Sequence, residues 1–296
     1  MNIRLTYTNA KLIHRHLGIS YPELAIYYIS KREGSKSVSV NYNSANVRFS
    51  DLSNIARLLE NEWKIIQTSE KLITFRSPDD VIITCRCNVG YDFGHLVEIF
   101  LEKSYGSDFN NKNIIDIGAS NGDSAIYFAK KGAKRVVCLE PDTRSFELAV
   151  NNLKASKVED RVTILNKALS NKDGEIKLFV YDMNPNANSV DKSNMVHLKD
   201  TMHEETVESI TVKDVIGMFE GEQIDLLKMD CEGCKYSVLR NLDAESYKKI
   251  KSIVMEYHNG LQFLKGLLES YGFNVEVKAG NDKIGYISAN RVRLLN

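Results

Sequence analysis

Residues 113 to 142, NIIDIGASNGDSAIYFAKKGAKRVVCLEPD, constrain the fold more than any other stretch of this chain. A short apolar run over 113–117 closes on Gly118, the pattern of a buried parallel strand. Gly118 and Gly122 bracket a small polar turn of Ala119, Ser120 and Asn121. Ile126, Phe128 and Ala129 then recur at helical spacing until Gly132 stops the helix, and a second strand over 135–139 ends in Glu140. The stretch reads as one right-handed βαβ crossover with a ligand-sized gap at the strand ends.

The residue types at that gap have separate chemical reasons. Glycine lets backbone approach a ligand where a Cβ would collide. A carboxylate at the end of the second strand accepts both hydroxyls of a ribose. The spacing is D-x-G-x-x-x-G, not the G-x-G-x-x-G of a dinucleotide site. Asp116 would repel a pyrophosphate and welcome a cation. These residues resemble the glycine loop of the class I S-adenosylmethionine-dependent methyltransferases, whose ligand carries a sulfonium and an ammonium.

The charge balance excludes some partners. Lys and Arg number 39, as do Asp and Glu, which argues against nucleic acid and an anionic membrane surface. No apolar run approaches the roughly 18 to 20 residues of a membrane span, and residues 1–18 lack the apolar core of a signal peptide. Five cysteines fit reduced thiols in a cytoplasm better than a disulfide framework. Cys231 and Cys234 spell C-x-x-C, but with no second such pair and no thioredoxin-like context the spacing reads as chance.

At 296 residues the chain accommodates a large α/β domain with an extension. The extension, 1–90, is a small α+β segment suited to substrate or oligomer contacts. A basic stretch up to Arg32 reads as solvated surface, and 36–49 reads as a strand or hairpin. A helix is expected over 54–62, capped by Asp51 or Ser53, with strands over 72–76 and 81–85. An amphipathic helix over 91–105 opens the main domain, 91–296. Beyond Glu140 follow a helix over 143–155, a strand over 161–165, a turn at 166–169 and a strand over 174–181. Residues 182–206 form a long polar segment, read as a mobile substrate-side loop. Its His197, His203, Glu204 and Glu205 match no standard ligand spacing, so no residue is assigned to a metal.

The second informative stretch is QIDLLKMDCEGCKYSVLRNL, residues 223–242. A buried strand over 224–229 delivers Asp230, a turn carries Glu232 and Gly233, and a helix follows. Two carboxylates one residue apart at a strand's carboxyl end suit acceptor chemistry: one holds the acceptor hydroxyl or takes its proton, while the other orients it or a metal. A further strand over 252–257 delivers His258 to the same edge, a general-base candidate. A helix over 261–271 and a hairpin of 273–277 with 284–289 close the chain, so the sheet is expected to end antiparallel.

IIDIGASNGDSAIYFA, LEPD, NKALSNKDGEIKL, IDLLKMDCEGCKYSVLRNL and the EYH ending the fifth strand together resemble the FkbM-type family of S-adenosylmethionine-dependent methyltransferases over roughly residues 70–290. The signature K-x-D-x-E-G-x-E-x-x-V-L is met by Lys228, Asp230, Glu232, Gly233, Val238 and Leu239; it departs at Lys235, where the family commonly has an acid, which suggests a different, anionic acceptor. The resemblance implies a Rossmann-like, mostly parallel α/β sheet with an antiparallel C-terminal hairpin. It implies that Asp116, Gly118, Ala119, Asn121 and Gly122, with Ser120 in the same turn, line the methionine end of S-adenosylmethionine. It places Glu140 on the ribose, Pro141 and Asp142 beside the adenine, and Asn166 and Ala168 at its border. Asp230, which also borders the cofactor, Glu232 and His258 become the acceptor-side candidates. The implied reaction is O-methylation of a small molecule or glycan. Two alternatives stand beside it, an RNA methyltransferase and a catalytically dead cofactor-binding regulator. Oligomeric state is left open.

Overall fold

In the computed structural model, residues 7–30, 35–40, 43–192 and 202–292 are described. The chain divides into two compact units, Met1–Gly106 and Ser107–Asn296. The first unit holds α1 (Tyr7–Leu17), α2 (Tyr21–Ser30), the hairpin of β1 (Ser35–Val40) and β2 (Asn43–Arg48), α3 (Leu52–Glu60), and an antiparallel sheet of β3 (Lys64–Ser69), β4 (Leu72–Arg76) and β5 (Ile82–Arg86). Leu52, Ile55, Ala56 and Leu58 put the apolar face of α3 in the core. Neither Asp51 nor Ser53 caps it as expected. Asp51, at the N-cap position, makes no side-chain cap and instead accepts from Arg48 Nε at 3.1 Å. The helix expected over 91–105 is α4 (Asp92–Leu96) running into a π turn, Val97–Leu101, and both lie in this first unit rather than opening the second.

The second unit is built on a seven-stranded sheet. Its elements are β6 (Asn113–Ile117), α5 (Asp123–Lys130), β7 (Arg135–Leu139), α6 (Thr143–Ala155), β8 (Val162–Leu165), β9 (Ala168–Leu169), β10 (Gly174–Tyr181), β11 (Met202–Ile210), α7 (Val212–Gly217), β12 (Leu226–Met229), α8 (Lys235–Asn241), α9 (Ala244–Lys248), β13 (Ser252–His258), α10 (Leu261–Ser270), β14 (Phe273–Gly280) and β15 (Ile284–Arg291). The order across the sheet is β14-β15-β13-β12-β6-β7-β8. The five strands from β13 to β8 are parallel, while β15 runs antiparallel to both β13 and β14. Every residue of β6 and of β12 is buried, which is why both read as unbroken apolar runs around one charged residue.

This topology places the site. The chain steps outward through β6, β7 and β8, then returns to lay β12 on the other side of β6. The reversal between β6 and β12 opens a crevice at their carboxyl ends. The expected Rossmann-like sheet with an antiparallel end is the observed one.

Two expectations on the far side of β8 need correction. Residues 166–169 are not a free turn, because Ala168 and Leu169 form β9, pairing parallel with Ser209 and Ile210 of β11. The expected loop over 182–206 is shorter, since residues from Met202 onward pair along the whole of β10. His197 lies outside the described residues. Residues 182–192 turn through Pro185–Ala187 and return Ser189 to bridge both Phe179 and Glu232. No helix among the described residues is long and apolar enough to cross a membrane.

Candidate active site

The glycine turn after β6 is held against the end of β12. Gly118 sits at φ +81°, and a Cβ there would lie 2.1 Å from the carbonyl oxygen of Asp230. Only glycine allows the donor-side turn and the acceptor-side strand end to meet so closely. Ala119 and Asn121 are buried in this turn. Asn121 lends its carbonyl to Asn152 Nδ2 at 2.9 Å, while its own Nδ2, fully buried, has no hydrogen-bond partner among the described residues. Leaving such a donor unpaired costs about 1–3 kcal/mol, a cost that a ligand's acceptor would remove.

Glu140 ends β7 with both oxygens directed by backbone. Oε2 accepts from Ser120 N at 2.8 Å and Oε1 from Asp142 N at 2.9 Å. Two backbone amides thus fix the direction of the carboxylate, the group that would accept from a diol. Asn166 locks the same corner: its Nδ2 donates to the carbonyls of Glu140 and Pro141 at 2.9 and 3.1 Å. Asp142 caps α6 through Ser145 N at 2.8 Å and also accepts from Arg144 and Asn188. Asn166 and Asp142 thus shape the corner with their side chains, and Ala168 is buried in β9.

Asp116 departs from the sequence expectation of a charge waiting for a ligand. It is fully buried, and the parallel register sets Lys228 of β12 directly opposite. Lys228 Nζ lies 2.9 Å from Asp116 Oδ1 and donates to Gly118 O at 2.9 Å. Ser124 Oγ donates to Asp116 Oδ2 at 2.6 Å. Burial works to lower the Lys228 pKa, but Asp116 and then Asp230 outweigh it, so the ammonium is held charged. The internal cation fills the role expected of the ligand's.

On the acceptor side the structure brings Glu232 onto His258, with Nδ1 3.4 Å from Oε2. It adds Glu256, which the sequence reading passed over as a strand residue, 3.8 Å from His258 Nε2. Burial first, and then the charge of Asp230, push the Glu256 carboxyl up to about 7. The Glu232 hydrogen bond raises the His258 imidazole above its ordinary value. Asp230 stands half-buried at the end of β12, its amide bonded to Ile117 O at 2.9 Å. Tyr236 OH donates to His258 O at 2.8 Å and fixes the end of β13. The alternation of β13, with Ile253, Met255 and Tyr257 buried, is the signal that would have set Glu256 and His258 on one face.

Two features stiffen the turn that carries Glu232. Cys231 and Cys234 are joined in a disulfide, which corrects the reading of their spacing as chance and of all the thiols as reduced. Gly233, at φ +80°, folds the turn and sets their Cα atoms 5.8 Å apart, within bridging distance. Gly233 also leaves no room for a Cβ, which would meet Ser189 Oγ at 2.7 Å and Asp191 N at 2.8 Å. The 189–191 segment therefore lies directly on the Glu232–Gly233 turn. His203, by contrast, sits on exposed β11 beside Glu205 and Asp182, in unit 2 but in a separate cluster.

The sheet order, the glycine turn at its reversal and the acid ending β7 define a Rossmann-like fold of the class I methyltransferase type. The Methyltransferase FkbM domain matches residues 116–275, more than half of the chain, and the chain belongs to that family. Methyltransferase 1 of Beauveria bassiana is 28% identical over 201 residues, covering 61% of this chain and 80% of its own length. Methyltransferase sdnD of Sordaria araneosa is 25% identical over 227 residues, covering 66% and 88%. Among solved structures, Methyltransferase FkbM from Methylobacillus flagellatus aligns at 15% identity and a TM-score of 0.43, covering 60% of this chain and 43% of its own.

Proposed function

We propose that this methyltransferase moves a methyl group from S-adenosylmethionine to a hydroxyl oxygen of a small molecule or sugar. The observation that carries the reading is the convergence of Asp230, Glu232, Glu256 and His258 at two adjacent strand ends, directly against the Gly118 turn. S-adenosylmethionine, when bound, supplies an electrophilic methyl on a good leaving group. Most of the remaining work is orientation and exclusion of water.

The chain's own residues divide that work. The turn from Gly118 to Gly122, with the unpaired Nδ2 of Asn121, receives the methionine end, and Glu140 receives the ribose hydroxyls. Asp116 contributes through Lys228, holding the turn rather than meeting the ligand. On the other side, Asp230 accepts the acceptor's proton as attack proceeds, a contribution of about 10² to 10⁴-fold. Glu232 and His258 line the same side and hold the hydroxyl in place.

Calorimetric titration with S-adenosylmethionine tests the donor half. Micromolar binding by the wild type and its loss in Glu140→Ala are expected. A wild type that binds no donor, alone or with hydroxylated metabolites present, would sink the proposal.

A further inference from the structure

Glu232, Glu256 and His258 each offer one ligand atom, and the three atoms lie within 4.8 Å of one another. Donors about 2.1 Å from an octahedral ion sit about 3 Å apart when adjacent and about 4.2 Å apart when opposite. Atoms up to 4.8 Å apart would draw together to close around such an ion. The three residues are half-buried, so an ion reaches them from solvent. Their backbones are also fixed. Glu256 and His258 lie on β13, and Glu232 lies in a turn closed by the Cys231–Cys234 disulfide and bridged to Ser189.

Lys235 lies close enough to the same cluster to act on it, and its charge tunes what the cluster can hold. Its side chain is 2% exposed, and its Nζ has no hydrogen-bond partner among the described residues. Its charge nevertheless acts on Glu256 and His258. The fold thus sets a buried positive charge that acts on Glu256 and His258 without a hydrogen bond to either.

We propose that Glu232, Glu256 and His258 form a site for a divalent first-row transition ion beside the methyl acceptor. One imidazole and two carboxylates suit Mn²⁺, Co²⁺ or Zn²⁺ better than Ca²⁺. Three protein ligands leave coordination positions for water or acceptor oxygens, so the site selects acceptors that present two neighbouring hydroxyls. The ion lowers the pKa of a bound hydroxyl and leaves Asp230, outside the ligand set, to take its proton. The Lys235 charge opposes the ion, making it exchangeable rather than permanently held. The role beside the acceptor rests on the function proposed above; the binding itself does not.

The test uses tag-free full chain and no methyl donor, titrated with Mn²⁺ while the free ion is followed by its electron paramagnetic resonance signal. One saturable site per chain is expected. Glu256→Gln and His258→Ala should each weaken it by roughly 10- to 100-fold, the scale seen even for outer-shell partners. Lys235→Met should tighten it by about tenfold, a direction that misfolding cannot mimic. A wild type that leaves the free Mn²⁺ signal unchanged at about 1 mM, the weak end of ordinary exchangeable cation sites, overturns the proposal. So do Glu256→Gln and His258→Ala variants that bind as the wild type does. Failed donor calorimetry with intact Mn²⁺ binding would instead overturn the function reading and leave the ion site standing.

Discussion

The two sides of the crevice are built on opposite electrostatic plans. On the donor side, Asp116, Lys228, Ser124 and Gly118 form a closed buried network in which opposite charges meet at 2.9 Å. Glu140 is likewise directed by two backbone amides. On the acceptor side, Glu232, Glu256 and His258 approach no closer than 3.4 Å, and Lys235 bonds to none of them. Charges satisfied internally hold a shape, whereas charges left half-satisfied are available to something that arrives. Glu232, Glu256 and His258 keep access to solvent, which limits the cost of leaving their charges open, whereas Lys235, at 2% exposure, bears that cost in full.

Removing one member of the closed network should have the largest effect. Lys228→Ala strands the Asp116 carboxylate at zero exposure and should cost about 3–5 kcal/mol, read from urea unfolding of the purified chain. If the variant unfolds with the wild type, the donor-side plan is wrong.

A change on the acceptor side should separate activity from stability. Asp230→Asn should lower turnover by about 10² to 10⁴-fold on a true acceptor, with a loss of stability well below that of Lys228→Ala because Asp116 remains the main partner of Lys228. An equal loss of stability would place Asp230 in the scaffold and erase the contrast.

The smallest effect is expected at the adenine corner. Asn166→Ala removes two hydrogen bonds to the Glu140 and Pro141 carbonyls and should cost about 1 kcal/mol, with donor affinity falling more than acceptor affinity. A loss confined to acceptor affinity would reassign the corner.

The sheet was legible because its signals are local. Apolar runs broken by glycines gave β6, β7 and β12, and the spacing of Gly118, Gly122 and Glu140 marked the crevice. Asp230, Glu232 and His258 were legible as strand-end residues. Glu256 was overlooked although the alternation along β13 pointed to it. Contacts between distant segments were not legible. The pairing of β11 with β10 and β9 joins stretches separated by a polar segment whose composition resembles a loop. Cys231 and Cys234 became a pair only when the turn at Gly233 brought them together.

By itself, then, the sequence determined the βαβ unit, the parallel sheet with its antiparallel end, and the residue types at the crevice, since each depends on periodicity and short-range spacing. The tertiary structure decided which charges cancel. Asp116 and Lys228 lie far apart in the chain, and only the register of β6 on β12 makes them a pair. Lys235 and Glu256 share a site only because β12 lies beside β13. An ion pair depends on distance in space, which sequence separation does not encode.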